Sequence, residues 1–213
     1  MAGFSFGKAE SAKMPDNKEV GRTTGGVPGV DHFSHWDRVK GLSSGFSLDK
    51  LRDPYYTDKA ERIKVCPLGD RFISGVRGDG LAVPRADTEA GVNARALLDT
   101  YGLKGIEYKN GFPIFKPVAF DSTEIGMTKD LKENYKRAYP AFAEKWSAEK
   151  RDGKDSWSPS EVKAYIKERG LTIHECEDRK TCQLVPMAIH KSFKHIGGRE
   201  ECKQREAALN GEN

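Results

Sequence analysis

The sequence has little cysteine, no long apolar run and no large excess of one charge. Its four cysteines, Cys66, Cys176, Cys182 and Cys202, include no C-x-x-C pair. That spacing argues against a four-thiolate zinc knuckle and makes unpaired thiols the expectation. No stretch approaches the roughly 18 apolar residues that span a bilayer, and the opening MAGFSFGKAESAKMPDNKE lacks an apolar leader core. The expectation is a soluble protein with no membrane partner and no conventional signal peptide, carried by other means if it leaves its cell. Lys and Arg number 36 against 32 Asp and Glu, a net charge of +4. Such a balance permits a nucleic-acid partner without requiring one. The 213 residues, 37% hydrophobic and 32% charged, supply one ordinary core or one core with a small annex.

Residues 1–30 are rich in Gly, Lys and Ser and read as a flexible arm or linker. Next comes DHFSHWDRV, in which His32 and His35 form an H-x-x-H pair beside Trp36. With no further ligand nearby, capping and packing are the expected roles. Short apolar runs alternate with Gly and Pro from Ile63 to Val83, suggesting two or three short strands. ADTEAGVNARALLDTYG reads as a helix capped by Asp87 or Thr88, with Leu97, Leu98 and Tyr101 inward and Gly102 as its stop. GIEYKNGFPIFKPVAF reads as a hairpin turning at Asn110-Gly111, the signature of a type I′ turn.

Leu131, Tyr135, Tyr139, Phe142 and Trp146 form one helical stripe, which Pro140 is expected to kink or divide. In WSPSEVKAYIKERG, Ser158 caps, Pro159 takes the first helical position and Glu161 completes a capping box. Trp157 can staple onto Val162, and Gly170 ends the helix. LTIHEC then alternates as a strand, EDRK turns, TCQLVP returns, and MAIHKSFKH reads as a short helix stopped by Gly197-Gly198.

This last stretch gathers His174, His190 and His195, three of the five histidines. Phosphodiesters resist hydrolysis because water attacks weakly and the leaving oxygen gains charge. One imidazole as base and one divalent cation at the phosphate answer both problems. A hairpin can present the base, His174, while the following helix presents a cation ligand, His190. His195 lies roughly 140° further around an ideal helix, so it joins the same ion only if the helix ends before it. Gln183 is a candidate orienting residue, and Arg179, Lys180, Lys191, Lys194 and Arg199 are candidate phosphate contacts. The plainer alternatives are three ordinary histidines in a basic segment, Gln183 as a packing residue, or a structural zinc site that adds Cys176 and Cys182.

The segment HECEDRKTCQLVPMAIHKSFKHIGG resembles the C-terminal signature of the HNH/endonuclease VII superfamily nucleases found as toxin domains of bacterial polymorphic toxins. It is most similar to the groups with a Trp-His-His or Gly-His-Glu motif, through Gln-Leu-Val-Pro, His190 and His195-x-Gly. YKNGFPIFKP and WSPSEVKAYIKERG also look like stretches that precede the finger in such proteins, so the resemblance spans about residues 105–199. It implies a ββα-metal fold, one divalent cation (Mg, Mn, Ni or Zn), nuclease activity and a cognate immunity protein. Two positions depart from the pattern: Ile173 stands where Trp is common, and Glu175 where a second histidine is common.

The expected protein is therefore α+β, with a C-terminal ββα-metal finger packed on helices and an irregular N-terminal region. Its expected divisions are an arm at 1–30, a region of unassigned role at 31–104, a nuclease domain at 105–199 and a tail at 200–213. The expected activity is that of a metal-dependent endonuclease, acting on DNA before RNA as an antibacterial effector. Such an effector is secreted and works in the cytoplasm of a target cell, and its immunity protein is expected to carry an acidic face. His174 and Glu175 are the catalytic candidates; His190 and His195 are the metal candidates. The alternative function is a silent nucleic-acid- or protein-binding module that keeps the finger for structure.

Overall fold

The computed structural model describes residues 55–211. The expected arm, His32, His35 and Trp36 lie outside the described residues. Within them the chain is α+β, and every strand pairing is antiparallel.

Asp58 starts helix α1 (Lys59–Val65) by accepting from the Ala60 amide at 2.7 Å. Residues 63–65 are thus the end of a helix, although their alternation suggested a strand. The N-cap, a first-turn Glu61 and a last-turn Lys64 outweigh the short apolar pattern. Strands β1 (Phe72–Val76) and β2 (Asp79–Ala82) form a hairpin. Strand β3 (Ile106–Lys109) pairs with β2 and with β4 (Phe112–Pro113), completing a four-stranded sheet in order β1-β2-β3-β4. The β3-β4 turn has Asn110 at φ 53° and Gly111 at φ 83°, as a type I′ turn requires. Because Gly80–Ala82 pair with Ile106–Tyr108, this sheet crosses the 104/105 division expected from sequence.

Helix α2 (Glu89–Thr100) is capped by Thr88, whose hydroxyl accepts from the Gly91 amide at 3.1 Å. Asp87 instead pairs with Arg85 at 2.6 Å. Leu98 is buried and Leu97 packs at the core edge, but Tyr101, expected inward, is 42% exposed because it follows the last helical turn.

A second sheet has the order β5-β7-β6. Strand β5 (Asp121–Glu124) carries no apolar residue, so no pattern announces it; pairing of its backbone to β7 defines it. Helix α3 (Leu131–Ala148) runs unbroken through Pro140, sacrificing the bond that residue cannot donate. Its buried face is Asn134, Ala138, Phe142, Ala143 and Trp146, with Tyr135 and Tyr139 alongside and Leu131 exposed. Helix α4 (Pro159–Glu168) has the full capping box: Ser158 accepts from the Glu161 amide, and Glu161 accepts from the Ser158 amide at 2.8 Å. Trp157 packs in the same core as Val162.

Strands β6 (Leu171–Glu175) and β7 (Thr181–Pro186) form the hairpin that carries His174. Ile173 opposes Leu184, and His174 opposes Gln183. Paired residues share a face, so successive pairs look to opposite sides. Leu171, Ile173, Cys182 and Leu184 pack under α3 and α4. Val185 joins a second core with Ala82, Leu98, Ile106, Tyr108, Phe115, Ile189 and Phe193. Helix α5 (Met187–Ser192) follows directly, ending before His195. Gly197 then serves as N-cap of helix α6 (Gly198–Leu209), so the two glycines begin a helix rather than only ending one. The stretch from 200, expected as a tail, is helical to Leu209 and buries Glu201, which accepts from the Thr57 amide at 2.8 Å. Among the described residues no helix is long and apolar enough to cross a membrane.

Candidate metal centre

Three elements bring one imidazole each to the same point. His174 comes from β6, His190 from the last turn of α5, and His195 from the loop that follows. One ring nitrogen from each lies within 4.8 Å of the other two. Ring centres are 5.4 Å apart for His174 and His190, 4.9 Å for His174 and His195, and 5.1 Å for His190 and His195. The early end of α5 is what lets His195 swing back, because the helical spacing of His190 and His195 would have parted them. The expectation that the helix ends first is met.

The protonation state suits ligation. Burial, reinforced by the neighbouring His195 and His190 rings, pushes the His174 imidazole well below its ordinary value. Burial and His195 bring His190 down to about 4, and burial lowers His195 as well. All three rings are therefore neutral at pH 7, the form that offers a lone pair to a cation. His195 Nδ1 lies 2.8 Å from the Phe193 carbonyl, which can only accept. The proton therefore sits on Nδ1, and Nε2 keeps its lone pair for the centre. Three neutral imidazoles at this separation fit a divalent transition ion of the zinc or nickel type.

Residues that the sequence did not single out hold this arrangement. Phe115 packs against all three imidazoles, with ring centres at 4.8, 5.4 and 5.6 Å. Arg71 donates to the Ser192 carbonyl at 2.8 Å and to Val83 at 2.8 Å, tying the end of α5 to the first sheet. Tyr108 Oη donates to the Lys194 carbonyl at 2.9 Å, next to His195. An aromatic residue after the Asn-Gly turn was visible in sequence, but nothing local marked it as the hub of three histidines.

The remaining candidates separate. Gln183 is the cross-strand neighbour of His174, and both line a cleft of about 240 Å³ together with Phe115, Lys116 and Glu177. Glu175 points to the other face of β6, where the Asn134 amide donates to its Oε1 at 2.5 Å. Burial raises this carboxyl, while the Asn134 bond and the Arg199 charge pull it down. Arg179 donates to the Tyr55 carbonyl at 2.7 Å and stacks on Tyr56 at 4.2 Å, while Lys180 pairs with Glu124 at 3.0 Å. Both are engaged at the hairpin turn. Lys191 and Lys194 are exposed beside the histidine segment, and Arg199 pairs with Glu200 at 3.1 Å. Among the described residues the imidazole cluster includes no thiol. Cys182 packs on the opposite side of the sheet, and burial pushes the Cys176 thiol up, against thiolate formation.

Residues 105–197 match the family described as the DNase/tRNase domain of colicin-like bacteriocins. The match takes in β3, Phe115 and all three histidines, and it supports a nuclease domain of the bacteriocin toxin type. No curated protein matches the chain.

Proposed function

We propose that the chain is a metal-dependent endonuclease of the ββα-metal, HNH-like type, acting as an antibacterial effector toxin. The observation that carries this reading is the convergence of His174, His190 and His195 inside the stretch that matches the bacteriocin nuclease family. The β6-β7 hairpin and α5 would be the finger, and the three imidazoles would hold one divalent cation. When bound, that cation supplies positive charge to the phosphodiester oxygens as negative charge develops.

The sequence reading reserved His174 as base. Its inclusion in the donor set favours a ligand role instead, because a neutral imidazole has one lone pair and ligation uses it. In an in-line displacement the attacking water and the leaving oxygen lie on opposite sides of phosphorus. The base is then sought outside the ligand set; Glu175, the other catalytic candidate, directs its carboxylate to the opposite face of β6, onto Asn134. Lys191, Lys194 and Arg199 would meet the phosphate backbone.

The test is plasmid DNA, and separately RNA, incubated with the full chain and Mg²⁺, Mn²⁺, Ni²⁺ or Zn²⁺, then with chelator. Metal-dependent cleavage is expected, on DNA before RNA; intact nucleic acid under every metal would favour a silent binding module. A producer needs protection, so an immunity protein with an acidic face is expected, matched to the exposed Lys191 and Lys194. Expression of the chain in bacterial cytoplasm should be toxic alone and tolerated with that partner.

A further inference from the structure

We infer that the cleft between the end of α1 and the loop from β2 to α2 binds the phosphate backbone of a nucleic-acid substrate, Arg71 and Arg77 joining Lys194 as its contacts. This rests on the nuclease reading given above, and both arginines lie outside the stretch that matches the bacteriocin nuclease family. The cleft has a volume of about 660 Å³, and five cations line it against two carboxylates, Asp70 and Asp87. Two of the cations are already paired, Lys64 with Glu61 at 2.6 Å and Arg85 with Asp87 at 2.6 Å. Among the described residues no carboxylate pairs with the other three, Arg71, Arg77 and Lys194.

The two arginines are held by neutral carbonyls, which orient a guanidinium without cancelling its charge. Arg77, in the β1-β2 turn, donates through Nε to Pro67 at 2.9 Å and through Nη2 to Lys64 at 2.9 Å and Cys66 at 2.8 Å. Arg71 commits the same two nitrogens to Val83 and Ser192. In each, Nη1 has no acceptor among the described residues and is not closed off from solvent. A guanidinium clamped on one edge and open on the other is a fixed donor for a phosphate oxygen, with little conformational freedom left to lose on binding. The cleft also adjoins the imidazole centre. Lys194 precedes His195, and its carbonyl accepts from Tyr108 Oη at 2.9 Å. Arg71 holds the Ser192 carbonyl, between His190 and His195. A strand with its scissile phosphate at the centre can therefore lay its flanking phosphates along these cations. Phosphates recur along a strand with a full charge at each position, which suits cations set on three separate segments.

The test is fluorescence anisotropy of the full chain with a labelled DNA duplex in EDTA, where no cleavage intervenes, over a series of NaCl concentrations. Arg77→Gln and Lys194→Gln should each weaken binding about three- to tenfold and lower the salt slope by about one, as loss of a phosphate contact does. Asp87→Asn, which releases Arg85, should instead tighten binding about twofold. Lys194 and Asp87 are exposed, so their variants serve if Arg77→Gln fails to fold. Lys136→Gln, at an exposed cation on α3, should change Kd by less than about twofold. Wild-type affinity and slope in folded Arg77→Gln, or no tightening in Asp87→Asn, would overturn the inference and leave the nuclease reading standing. Loss of binding to poly-glutamate with duplex affinity intact would assign the cleft to an acidic protein and also overturn it. A wild type that neither binds the duplex nor cleaves it under any metal would defeat the nuclease reading, and this inference with it.

Discussion

Phe115 stands edge-on to His174, their ring centres 4.8 Å apart and their planes at 78°. The same phenyl touches His190 and His195, so one buried residue sets the spacing of the imidazole group. Phe115→Ala should leave a cavity under the centre and lower stability by about 3–5 kcal/mol, read by urea unfolding. Ni²⁺ affinity should fall with it, although no ligand has been removed. A variant that unfolds more easily but binds Ni²⁺ as tightly as before would mean the imidazoles keep their spacing without Phe115.

The three histidines should behave alike toward the cation. Each of His174→Ala, His190→Ala and His195→Ala is expected to weaken Zn²⁺ or Ni²⁺ binding at least about tenfold, measured by competition with a chromophoric chelator. Each should also abolish the rise in Tm that the metal gives the wild type. Full metal retention by His174→Ala, with loss of cleavage only, would return His174 to the role of base.

Acid should destabilise the metal-free protein through these rings. His190 has a folded-state value of about 4 against an ordinary 6.5, and His174 is displaced in the same direction. The unfolded chain therefore takes up protons before the folded chain does, and stability rises with pH across that interval. The contribution is present above about 6.5 and lost as pH falls toward 4. Tm followed over this range should drop, and the drop should shrink in His190→Ala; a flat profile would mean that the rings protonate freely in the fold.

The division at 104/105 makes a further expectation. A fragment beginning at residue 105 covers the stretch that matches the nuclease family but lacks β1, β2 and Arg71. It would expose the edge of β3 that pairs with Gly80–Ala82 and lose the bond from Arg71 to Ser192. Such a fragment should aggregate or melt well below residues 55–213, and bind Ni²⁺ more weakly. Arg71→Ala in the full chain should reproduce part of the metal defect. Equal stability and affinity in the fragment would make the first sheet dispensable to the centre.

Much of the architecture is written in short-range signals. Ser158, Pro159 and Glu161 specify the start of α4, Asn110-Gly111 specifies its turn, and Thr172 to Glu175 alternate as they do in β6, because caps, turns and pleats are settled by residues a few positions apart. The order of strand, strand and helix, with a histidine on the first strand and another on the helix, is legible on the same grounds. Other features had no local sign. DSTE became β5 only because β7 lay beside it, and Pro140 stayed inside α3 because the helix packs through Ala138, Phe142 and Trp146 on both sides of the proline. Tyr101 pointed outward because the helix ended one residue earlier than its apolar stripe. That His195 joins His174 and His190 depends on where α5 stops and on Arg71 and Tyr108, both outside the histidine segment. Asn134 meets Glu175 across 41 positions, a distance over which no sequence period operates. Local rules place a side chain on a face; only packing between distant segments decides which faces meet, and the centre is made where three of them do.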